Sequence, residues 1–129
     1  MPQNRDTGAA GNEYGHATAA RVANKIGATG LGKVSNECRL DGKRIVIKCA
    51  RADTASVGVT YTMLEHLDGI LGAFEMEDCS YDLLLLDPSI YREHMAPSRS
   101  TGASAGRVGI VSKTVFFEQA KSLGNVRLD

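Results

Sequence analysis

The chain has 129 residues, 43% hydrophobic and 23% charged, which suits one domain with its own core and excludes disorder over the whole length. Fifteen basic residues balance fifteen acidic ones, so the basic excess of a non-specific nucleic-acid binder is missing and any DNA contact must come from a local patch. No apolar run reaches the ~18 residues of a membrane span, no apolar stretch follows the start Met1-Pro2-Gln3-Asn4-Arg5-Asp6, and Cys38, Cys49 and Cys79 lack zinc-ligand spacing, so a reduced, cytoplasmic protein is expected.

Residues 1–11 are polar and Gly/Ala-rich and are expected to form a flexible arm ahead of a single domain over 12–129. Asn12 is placed to cap a helix ending near Ile26, with Glu13 in its first turn and Ala19, Ala20, Ala23 and Ile26 forming a smooth face. Lys33–Leu40 and Arg44–Ala50 follow as strands joined at Asp41-Gly42, a strong two-residue hairpin signal. Residues 51–58 read as a loop, and Val59–Leu67 as either a strand or a short helix. Ile70–Met76 and Tyr81–Asp87 form a second hairpin, in which Leu83-Leu84-Leu85-Leu86 suggests a central strand buried on both faces. Asp87-Pro88 opens a short helix to about His94. Residues 96–106 are expected to be a flexible loop, followed by a strand at Arg107–Val111 and a closing helix from Thr114 to Leu123. The fold class is α/β, a central mixed β-sheet flanked by helices.

The first hairpin carries the chemistry. A two-residue turn at Asp41-Gly42 pairs Leu40 with Lys43, Glu37 with Val46 and Ser35 with Lys48. Side chains alternate along a strand, so Glu37, Val46 and Lys48 share one face, while Cys38, Leu40, Ile45, Ile47 and Cys49 take the other. A lysine in so apolar a strand requires a partner or access to water, because burying an unpaired ammonium is costly.

Helix, acid-bearing strand and lysine-bearing strand, in that order, resemble the PD-(D/E)xK superfamily, whose fold is called restriction-endonuclease-like. The resemblance covers about residues 11–90. It implies a nuclease acting on DNA, with Mg²⁺ as cofactor, Glu37 and Glu13 as metal ligands, and Lys48 as the catalytic group that orients water or offsets charge on the phosphate. The chain departs from the pattern at Val46, where the family has an acid, and at Asn36, where it often has proline. Val46 offers a hard cation no oxygen. Glu13, Asp41 or Asp53 would have to supply the second carboxylate; failing that, the domain binds or scaffolds without cutting.

Three readings follow: an active endonuclease, a non-catalytic descendant of that fold serving as a binding or regulatory module (a homodimer or part of a larger protein complex), and an unrelated small α/β interaction module. In the last, Glu37 and Lys48 form an ordinary cross-strand pair worth ~0.2–1 kcal/mol. Arg99 and Arg107 bracket a Gly/Ser-rich stretch suited to phosphate but lacking the Walker pattern. His16 reads as a surface or core histidine, Tyr91-Arg92-Glu93-His94 as a solvated helix face, and His66 with Asp68 has no nucleophile elbow beside it.

Overall fold

The computed structural model describes residues 5–32, 35–97 and 107–128, with side chains from Gly15 onward. In chain order its elements are α1 (Arg5–Ile26), β1 (Glu37–Leu40), β2 (Lys43–Ala50), β3 (Ser56–Thr60), α2 (Tyr61–Leu64), β4 (Gly69–Glu75), β5 (Tyr81–Leu86), α3 (Pro88–His94), β6 (Ala96–Pro97), β7 (Val108–Ser112), α4 (Lys113–Gln119) and β8 (Lys121–Val126). The strands form a mixed five-stranded sheet, ordered β1-β2-β4-β5-β8, and a three-stranded sheet, ordered β3-β7-β6. The chain is therefore mixed α/β.

The β1–β2 hairpin follows from its turn. Asp41 and Gly42 both adopt left-handed backbone, with φ of 51° and 79°, the type I′ geometry whose twist matches that of the flanking strands. The register is the expected one, Glu37 opposite Val46 and Leu40 opposite Lys43. From β2 the chain crosses through β3 and α2 and returns as β4, parallel to β2, with Val46 opposite Ile70 and Lys48 opposite Gly72. β4 then pairs antiparallel with β5. β5 is not the central strand, which is β4, but it lies inside the sheet between β4 and β8, and its continuous apolar run at Leu83–Leu86 feeds both faces.

Two cores result. On one face, Ala19, Val22 and Ala23 of α1 pack on Ile45, Ile47, Leu71, Ala73 and Leu83. On the other, Val46, Ile70, Phe74, Leu84 and Leu86 meet the three-stranded sheet, Leu64, Tyr91 and Phe116. Tyr91 joins the two sheets. Its ring is fully buried, and its hydroxyl lies 3.1 Å from the Val57 carbonyl and 2.7 Å from that of Gly109. Burial pushes the phenol well above its ordinary range, so it remains a donor. Tyr91→Phe should cost about 1–3 kcal/mol, the penalty for deleting a buried donor, and denaturant unfolding should show a lowered midpoint with an unchanged slope.

Several expected boundaries move. The first helix begins at Arg5 rather than after Asn12, so residues 5–11 are helical and not an irregular arm. Part of the expected 51–58 loop is β3, which pairs with β7 some fifty residues later, a partner that local pattern cannot reveal. Ala96-Pro97 forms a short strand on β7, while 98–106 of the expected loop lie outside the described residues. The closing helix stops at Gln119, and Lys121–Val126 turn back as β8. There Leu123 and Val126 reach the α1-side core while Phe116 fills the opposite one, a span that one short helix could not serve.

Candidate functional site

Glu37, Val46 and Lys48 do share a face of the hairpin. Val46 joins the core beneath the second sheet, and Ile45 and Ile47 join the core under α1. Glu37 and Lys48 are diagonal neighbours, with Cβ atoms about 7–8 Å apart. They do not pair. Glu37 Oε1 instead accepts from His66 Nε2 at 2.6 Å, and Glu37 Oε2 accepts from Ser35 Oγ at 3.1 Å. His66 arrives on the turn between α2 and β4, which Asp68 anchors: its carboxylate accepts the Arg44 backbone N–H at 2.9 Å, and its own N–H donates to the Arg44 carbonyl at 2.7 Å.

Lys48 is partly buried, and loss of water lowers its pKa, with a small opposing effect from Cys49. Among the described residues its ammonium has no ion-pair partner. Burial pushes the neighbouring Cys49 thiol up to about 12, so that sulfur is inert near neutral pH. Two residues before Val46, on the same face, stands Arg44, directly opposite Arg39. Arg39, Arg44, Glu37 and His66 line one cleft of about 260 Å³, together with Gly30 and Cys38.

Larger clefts of about 400 and 660 Å³ lie around the β4–β5 turn. Several of their polar groups are already engaged with one another. Asn125 donates to Asp82 and Ser80 at 2.8 Å, Ser80 donates to Asp78, and Arg127 bridges to Asp78 at 3.2 Å. Among the described residues, the hairpin cleft holds two arginines without such partners.

The remaining expected site residues are dispersed. The side chain of Glu13 and the whole of Arg99 lie outside the described residues. Arg107 stands exposed at the start of β7, in the other sheet. Asp41 occupies the far end of the hairpin, and Asp53 lines a separate cleft with Lys113 and Phe117. His16 does have a specific partner, with Nδ1 lying 3.0 Å from Asn36 Oδ1, and so ties α1 to the approach to β1. Sequence reasoning missed His66 and the Arg39/Arg44 pair. The arginines were legible, since strand alternation puts them on the face of Glu37 and Lys48; His66, 29 residues from its partner, was not.

Mg²⁺ takes about six oxygen ligands, usually including one or two carboxylates. The described residues of this face offer one carboxylate, both of whose oxygens are engaged, and Val46 in place of a second. No group of three or more His, Cys, Asp or Glu side chains poised to hold a metal occurs among the described residues. They do not fit the cation that the resemblance implies.

No family model matches the chain, and no curated protein matches it either.

Proposed function

We propose that the chain is a restriction-endonuclease-like domain that binds DNA through Arg44 and Lys48, which flank the buried Val46 on its hairpin, and does not cleave it. The observation that carries this reading is the convergence of Glu37, Lys48 and a buried Val46 on one face of a hairpin that leads into a parallel crossover. The lysine and the first acid occupy the family's positions, and an apolar core residue replaces the second acid. Lys48, partly stripped of water, gives a phosphate oxygen a cation whose hydration is already reduced. With net charge zero, affinity is expected to be modest, with a log K against log salt slope of about 1 for each phosphate contact.

A second reading, an interaction module of unrelated fold, draws on one observation. The described face of α1 packs against Ile45 and Ile47, on the side of the sheet away from Glu37 and Lys48.

The test combines duplex binding by fluorescence anisotropy across a salt series with plasmid nicking in Mg²⁺ and in Mn²⁺. Binding without nicking is expected. Lys48→Met should weaken binding and flatten the log K against log salt slope by about 1, one phosphate contact. The same variant should be more stable by on the order of 1 kcal/mol at pH 7, since it removes a desolvated charge. The folded-state pKa of Lys48 is depressed, so the unfolded chain binds more protons. Wild-type stability therefore gains as pH rises from the folded value toward 10.5, and the advantage of Lys48→Met shrinks over that window. Lys48-dependent nicking would overturn the non-cleaving assignment. Failure to bind any duplex would favour the interaction module.

A further inference from the structure

Arg39 and Arg44 sit directly opposite each other in the antiparallel ladder. Like charges so placed, with Cβ atoms about 5 Å apart, destabilise a hairpin unless something lies between them. Among the described residues neither guanidinium has a hydrogen bond or ion pair, yet both line the same 260 Å³ cleft. Carboxylates that might have neutralised them are held elsewhere. Both oxygens of Glu37 are taken by His66 and Ser35, and the Asp68 carboxylate is turned to the backbone N–H of Arg44.

The bases of both arginines are fixed. The Arg39 N–H donates to the Thr29 carbonyl at 2.8 Å, and the Arg39 carbonyl accepts from the Thr29 N–H at 2.9 Å. The Arg44 N–H donates to the Asp68 carboxylate at 2.9 Å, and its carbonyl accepts from the Asp68 N–H at 2.7 Å. Two planar forks that rise from anchored backbone and line one small cleft suit a tetrahedral oxyanion, which guanidinium groups bind through paired N–H donors.

The geometry points to a phosphoryl-oxyanion subsite in which Arg39 and Arg44 together clasp one phosphate, with His66 restraining Glu37 at the rim. The inference rests on the DNA-binding reading and extends it, since it names a second contact on the same face. Arg44 and Lys48 are four residues apart on β2, about 13 Å, with the buried Val46 between them, so they make separate contacts.

The test uses the full chain and two probes, inorganic phosphate and a 20-base-pair duplex, with Arg39→Gln/Arg44→Gln and Arg39→Lys/Arg44→Lys as variants. Phosphate should shift the NMR signals of the Arg44 side-chain Nε–H and the His66 ring in the wild type, and leave the His66 ring signal still in the glutamine variant. Because two arginines share one phosphate, the glutamine variant should flatten the duplex salt slope by about 1, not 2. The lysine variant should keep the slope but bind phosphate more weakly, having charge without the fork. A phosphate shift of the His66 ring as large in the glutamine variant as in the wild type, together with an unchanged slope, would overturn the subsite. If Lys48→Met still weakens DNA binding in that case, the DNA reading survives without it. If the wild type ignores DNA but binds phosphate through the arginines, the subsite stands and the DNA reading falls. Both arginines are exposed, and a melting curve on each variant confirms that the fold is intact.

Discussion

Putting an acid back at position 46 is expected to cripple the fold rather than restore a nuclease. Val46 is fully buried in a core with Ile70, Phe74, Leu84 and Leu86. A carboxylate in Val46→Asp would face hydrocarbon with no partner, at a cost of about 3–5 kcal/mol, a large share of the ~5–15 kcal/mol that keeps a domain folded. Desolvation would raise its folded-state pKa above the unfolded value of about 3.9. The folded state would then bind more protons, so the penalty is least below about pH 4, grows as pH rises, and levels off above the folded-state pKa. Urea unfolding at pH 4.5 and pH 8 should show the gap between wild type and variant widening at the higher pH. A variant as stable as the wild type that also bound Mn²⁺ would mean that position 46 opens to a metal site, and the non-cleaving assignment would fall.

Gly72→Ala should be nearly as damaging, for a steric reason. Lys48 faces Gly72 across the parallel ladder, and the Phe74 ring folds back over the bare glycine. A methyl group there would run into the edge of that ring and come within 3.0 Å of Phe116 Cδ1. Both rings are buried, and they lock edge to face with centroids 5.2 Å apart, so neither can swing aside. Overpacking of this kind costs about 3 kcal/mol, or about 10 °C in Tm for a chain of this size. Gly15→Ala, in α1 with nothing within 4 Å of the new methyl, is the matched control and should raise Tm. A Gly72→Ala melt superimposable on the wild type would show that Phe74 does not pack there.

The parts of the fold that sequence alone revealed are those written in local signals. Asp41-Gly42 announced its turn because few other residue pairs accept left-handed backbone twice in succession. The alternation in β2 sorted Ile45 and Ile47 from Val46 and Lys48 onto the correct faces. The four leucines of β5 declared a strand covered on both sides. The second sheet was hidden because β3 and β7 are short, separated by about fifty residues, and stabilised by pairing with each other. β8 was hidden because Phe116, Phe117, Ala120 and Leu123 mimic a helical stripe, and the free hydrogen-bonding edge of β5 outweighs that stripe. At the site, the pairing suggested for Glu37 and Lys48 gave way to His66, which only the tertiary path of the α2–β4 turn brings near.

Segment 28–32 has a consequence for how the molecule meets others. Thr29 bridges Arg39 on the outer side of β1, and the Gly32 N–H donates to the Glu37 carbonyl at 3.0 Å, so the Arg39 N–H and carbonyl and the Glu37 carbonyl on that border are occupied. A foreign strand seeking to extend the sheet there finds those three groups already taken, which guards against runaway stacking of copies. Recognition at this border is thereby left to side chains, and the side chains it displays beside the cleft are arginines.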